Sequence, residues 1–137
     1  MKEITVQPLL GNLEQVIKFV EDGLMQAECP PKVIFQINIA IDELYSNIAH
    51  YSQASAATIQ YDIKDSNIIL SFVDNGQPYD PTKQMAPDVS LSLEERQIGG
   101  LGIFMVSKSM DEMSYKYAEG KNKLTIIKGW QADGRNN

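Results

Sequence analysis

The sequence predicts an α+β fold, a two-layer α/β sandwich in which a mostly antiparallel mixed sheet carries its helices on one face. Three observations predict it. The first 52 residues hold two long segments whose apolar residues recur at helical spacing. Two β-rich runs in the middle, ATIQYDI (57–63) and NIILSFVD (67–74), are separated only by Lys64, Asp65 and Ser66, as in an antiparallel hairpin. Near the end, MSYKYAE and NKLTIIKGW make a second such pair around Gly120 and Lys121. With 137 residues and 43% hydrophobic composition, the chain has the length and apolar content of one packed domain, expected over 1–130, with a polar tail at 131–137.

In chain order, EITVQP (3–8) reads as a short strand, and Leu13, Val16, Ile17, Val20 and Leu24 then line one face of a helix. Asn12 is placed to cap that helix, with Gln15 completing a capping-box pattern. Pro30 and Pro31 stop it near Cys29, and Pro31 suits the first turn of a second helix that runs to about Ser52. Apolar residues from Val33 to Ile48 nearly encircle this second helix, so it is expected to be mostly buried and any polar residue within it needs a reason. After the hairpin comes the turn-rich DNGQPYDP. A polar stretch of about 17 residues comes next, expected to be a functional lid over about 81–98. GGLGIFMVSKSMDEM then opens on glycines and continues as an apolar helix.

Charge and composition exclude several functions. Lys and Arg number 12 against 18 Asp and Glu, and 12 − 18 = −6, a sign that repels nucleic-acid phosphates and anionic lipid. No apolar stretch approaches the roughly 20 residues a membrane span needs, and MKEITVQPLLGN has no signal-peptide pattern, so a cytoplasmic protein is expected. The single cysteine, Cys29, and the single histidine, His50, set aside a disulfide scaffold and a zinc enzyme.

Three segments carry chemistry. In ELYSN, Glu43 and Asn47 stand one helical turn apart on one face. A carboxylate there suits a general base, and an amide oxygen suits Mg²⁺, which fills its octahedron largely with water and phosphate oxygens. The same spacing also fits the solvent edge of an amphipathic helix. Asp74, at a strand end, can accept from an exocyclic amine, and Gly76 lets the backbone approach a flat ring, although Asp-Asn-Gly is equally an ordinary turn. Gly99, Gly100 and Gly102 at a helix start expose backbone N–H groups to anions, although a glycine cluster is often only a loop. It is neither a P-loop nor a dinucleotide fingerprint, since both the Gly-Lys-Ser/Thr ending and the required glycine spacing are missing.

Taken in order, E-x-x-x-N, D-x-G-x-P-Y-D-P and G-G-L-G-I-F-M-V resemble the N, G1 and G2 boxes of the GHKL ATP-binding superfamily. The run through S-K-S-M-D-E-M and the closing N-K-L-T-I-I-K most resemble its anti-sigma factor serine/threonine kinase branch. The resemblance implies the Bergerat ATP-binding fold and a kinase that uses ATP and Mg²⁺. By it Glu43 is the base that activates the attacking hydroxyl, and Asn47 binds the Mg²⁺ that bridges the phosphates. Asp74 accepts from the adenine amine beside Gly76 and Tyr79, and Gly99, Gly100, Leu101 and Gly102 line the phosphates. Thr125 stands for the family's last hydroxyl near the adenine, and Arg96 is a candidate lid cation.

The implied partners are a STAS-type anti-sigma-factor antagonist and a sigma factor, and the resemblance also implies a homodimer, with no direct nucleic acid and no membrane. Neither the phosphoacceptor segment of sensor histidine kinases nor the transducer domain of gyrase-like enzymes is expected, since neither fits within these 137 residues beside the ATP-binding domain. His50, near Asn47, is read as a structural neighbour of the site. The competing function is a non-catalytic module whose ATP-dependent state binds a partner, and a ligand-free structural domain is a third.

Overall fold

A computed structural model of the chain describes residues 1–84 and 101–131. Strand β1 (Lys2–Val6) leads through a 3₁₀ turn at Leu10–Asn12 into α1 (Leu13–Gln26). The expected capping box does not form. Asn12 makes no side-chain cap bond, and its Nδ2 instead donates back to the Gln7 carbonyl at 2.8 Å. The 3₁₀ turn removes the need, because it enters the helix with its own bonds, including Asn12 N–H to Leu9 O at 2.9 Å. At the other end Glu28 takes φ 58°, so that its N–H reaches Met25 O and the Cys29 N–H reaches Leu24 O, each at 3.0 Å. This is a Schellman ending built without glycine.

Helix α2 (Pro31–Asn47) starts at the prolines and buries Val33, Ile37, Ala40, Ile41, Leu44 and Tyr45. It is less enclosed than its composition suggests, since Phe35 is 65% and Ile39 49% exposed. Helices cover a single face of the sheet, so the side of α2 turned away from it meets solvent. A π turn, Ile48–Ser52, extends the helix and ends at Gln53 in the left-handed region, φ 57°.

Strands β2 (Ala57–Lys64) and β3 (Asn67–Asp74) form the expected hairpin, closed by Asp65 and Ser66 with φ 54° and 59°, the two-residue turn that matches strand twist. Helix α3 (Leu101–Ser109) precedes the second hairpin, β4 (Glu112–Ala118) and β5 (Lys121–Gly129), which turns at Glu119 and Gly120. The sheet order is β1-β2-β3-β5-β4, and all four pairings are antiparallel. The expected lid begins with a 3₁₀ turn at Pro81–Gln84; the rest of it, like the tail past Gln131, lies outside the described residues.

The two-residue period of the strands sorts the sheet into faces. Ile68, Leu70 and Phe72 of β3 and Leu124 and Ile126 of β5 point inward against Val16, Val20 and Leu24 of α1, the buried side of α2, and Ile103 and Val106 of α3. Each such side chain contributes about 1.5–3 kcal/mol on burial. The inward rows do not stay apolar to their ends. The β3 row closes on Asp74 and the β5 row opens on Asn122, and the register pairs these two directly. Among the described residues no helix is long and apolar enough to cross a membrane.

Candidate functional site

The site gathers where the inward rows turn polar. Asp74 is 5% exposed, and its Oδ1 accepts two hydrogen bonds, from the Gly76 N–H at 2.9 Å and from Asn122 Nδ2 at 3.0 Å. Asp74, Asn122, Asn47, Tyr79 and Tyr115 line one pocket whose remaining walls are mainly apolar, among them Leu44, Ile48, Phe72 and Leu124. Among the described residues, neither Asp74 Oδ2 nor the Asn47 amide has a hydrogen-bond partner. A carboxylate oxygen held open between apolar walls fits a flat ring that bears an amine.

Gly76 is needed for a reason that its motif does not announce. A β-carbon there would strike the Ser52 carbonyl in the π turn, so the missing side chain leaves room for that turn. The next N–H, of Gln77, donates to the same Ser52 oxygen at 2.9 Å. Tyr79 stacks on Tyr51 with centroids 5.9 Å apart and planes 27° from parallel. Burial first, then the neighbouring Tyr51 and Glu43, push its phenol pKa up.

Glu43 is half-buried on α2 and meets the start of α3. A β-carbon on Gly102 would run into the Glu43 carboxylate, so this glycine gives the carboxylate its place. Burial first, and the adjacent Asp42 charge second, raise the Glu43 pKa above its ordinary value, which makes it a stronger base once ionised. Leu101 opens α3 at the same point, while Gly99, Gly100 and Arg96 lie outside the described residues. His50 is exposed on the π turn, its ring 5.9 Å from that of Tyr51.

Thr125 is a correction. It sits on the sheet face away from the helices, where its hydroxyl meets that of Ser71 at 2.9 Å, and it does not reach the pocket. The inward polar residue of β5 is Asn122, three positions earlier and therefore on the opposite face. Sequence reasoning missed it. Its signal was a polar residue in phase with Leu124 and Ile126, legible only once the register against β3 is known.

A model of the histidine kinase-like ATPase domain matches residues 6–128. Among curated relatives, serine/threonine-protein kinase BtrW of Bordetella bronchiseptica is 30% identical over 96 residues, which cover 67% of this chain and 68% of that protein. Serine-protein kinase RsbW of Listeria monocytogenes is 28% identical over 97 residues, covering 65% of this chain and 62% of that one. The fold is shared with a chain of the SiaB-SiaC complex from Pseudomonas aeruginosa, at TM-score 0.65 and 14% identity over 93% of this chain and 88% of the other. It is shared too with the catalytic domain of histidine kinase ThkA, at TM-score 0.57 and 13% identity over 98% and 100%. A match that runs from residue 6 to residue 128, over a chain folded as this antiparallel sheet with helices on one face, shows that the chain belongs to the histidine kinase-like ATPase domain family.

Proposed function

We propose that the protein is an ATP-binding anti-sigma regulatory factor with serine/threonine protein kinase activity, cytoplasmic, acting on a STAS-type anti-sigma-factor antagonist in a partner-switching system. A sigma factor is the second partner, held or released according to the antagonist's phosphorylation. The observation that carries this reading is the placement of Asp74 and Asn47 on one apolar pocket with Glu43 set against the start of α3.

Each residue then has a task. Asp74 Oδ2 accepts from the adenine amine, while Leu44, Ile48 and Phe72 exclude water from the ring. Gly102 lets the backbone at the start of α3 come close to Glu43, and the N–H groups there face the phosphates. Asn47 is the residue that would hold Mg²⁺, whose chemistry is to neutralise charge on the transferring phosphoryl group. Glu43 takes the proton of the antagonist's hydroxyl as that oxygen bonds to the γ-phosphorus and the bond to the β-phosphate oxygen breaks, leaving ADP.

The test uses purified protein, its antagonist and labelled ATP. Label should appear on a hydroxyl residue of the antagonist, and Glu43→Ala should cut transfer by roughly 10²–10⁴-fold while nucleotide binding persists. Undiminished transfer by Glu43→Ala removes the base assignment. Partner binding that depends on ATP, with no labelled product from the unmutated protein, replaces the kinase with a binding module.

A further inference from the structure

Asn122 is 4% exposed, and all of its amide hydrogen-bonding capacity is used. Nδ2 donates to Asp74 Oδ1 at 3.0 Å and to the Gln77 carbonyl at 2.9 Å, with a longer approach of 3.4 Å to the Gly76 carbonyl. Oδ1 accepts from the Tyr79 N–H at 3.1 Å and from the Tyr115 hydroxyl. The surroundings allow one orientation of this amide. Turned over, it would set oxygen against a carboxylate and two carbonyls, and nitrogen against an N–H.

A carboxylate at a strand end has two equivalent oxygens, and nothing in the strand itself fixes the plane in which they lie. Here two donors, the Gly76 N–H and Asn122 Nδ2, converge on Oδ1. Turning the carboxylate plane away from this setting would break both bonds, whereas a half turn merely exchanges the two oxygens. The oxygen left without a donor is thereby kept for the pocket, and the same amide ties the carboxylate to the segment from Gly76 to Tyr79 that passes over the pocket's edge. An apolar residue would continue the inward row of Leu124 and Ile126, but it would leave Asp74 with a single donor, take a donor from the Gly76 and Gln77 carbonyls and take an acceptor from the Tyr115 hydroxyl.

We propose that Asn122 is a positioning residue for base recognition: it fixes the plane of the Asp74 carboxylate so that the oxygen left without a donor faces the bound nucleotide, and so makes the site selective for a base that carries an amine. The inference rests on the ATP-binding reading given above. Its effect belongs to the ligand's base and leaves the phosphates alone.

The test compares ATP with purine riboside triphosphate, which lacks the 6-amino group, by calorimetry in Mg²⁺. The unmutated protein should prefer ATP by roughly tenfold or more, as expected for a hydrogen bond to a charged group. In Asn122→Leu that preference should collapse toward unity, and in Asn122→Ser, the milder change for use if the leucine variant does not fold, it should fall at least threefold. Melting curves establish that each variant is folded. With the antagonist present, KM for ATP should rise in the folded variant while kcat at saturation stays close to that of the unmutated protein. A folded variant that keeps the full preference for ATP overturns the inference, as does a fall in kcat at unchanged KM. An unmutated protein that binds neither nucleotide overturns the ATP-binding reading, and this inference with it.

Discussion

Glu43 takes its base strength from where it lies, with burial the larger cause of its raised pKa and Asp42 the smaller. A base works ionised, so phosphotransfer should decline as pH drops through that raised value. Asp42→Asn removes one negative neighbour and should move the acid limb of the pH–rate profile to lower pH, with burial still holding it above the ordinary carboxylate range. A limb that stays in place would mean the Asp42 charge does not reach Glu43. At this scale the sequence was informative about residue type and less so about facing. The places of Glu43 and Asn47 on one helix and of Asp74 at a strand end were legible because their spacings are short and helical, or lie at the end of a clear strand. Thr125 was misplaced and Asn122 missed, because which face a strand residue shows depends on pairing with a strand some fifty positions away.

Among the elements, the helices and hairpins were legible from periodicity, since apolar residues at three to four positions or at two read the same before and after folding. Their ends were not. Asn12 carried a cap signature, yet the 3₁₀ turn supplied the bonds first, and α1 ended on Glu28 at positive φ with no glycine to announce it. The exposed Phe35 and Ile39 also escaped notice, because composition cannot say that helices cover only one side. The β2–β3 turn yields a prediction. Asp65 and Ser66 both occupy the left-handed region, which costs an ordinary L-residue about 1–2 kcal/mol. Replacing the pair with Asn-Gly should stabilise the protein by roughly 1 kcal/mol, seen as a higher urea midpoint at unchanged slope. A lower midpoint would mean that the side chains now there contribute more than the turn geometry costs.

The site belongs to the whole molecule, since its residues come from α2, β3, the segment after β3, α3 and β5, and no single element could hold it. Binding should therefore stabilise the complete fold rather than one part of it. With Mg²⁺ and ATP at 100 times its Kd, the gain is about 2.7 kcal/mol, which for a chain of this size raises the melting temperature on the order of 10 °C in a single transition. A melting curve indifferent to nucleotide would contradict that assembly. The net charge of −6 sharpens the point. Affinity for a polyanion has to come from backbone N–H groups and Mg²⁺ acting locally against the sign of the chain.

The π turn at Ile48–Ser52 holds a consequence for how such a chain can vary. A π turn spends one more residue than an α-helical turn over the same path, so losing any one residue between 48 and 52 would return the ladder to ordinary bonding and swing the chain beyond the turn by about 100°. Tyr51 would leave Tyr79, and the Ser52 carbonyl would leave Gln77 and the hollow of Gly76. Besides the side chains it presents, the turn's count of residues keeps the helix of Glu43 and Asn47 in step with the strand end of Asp74.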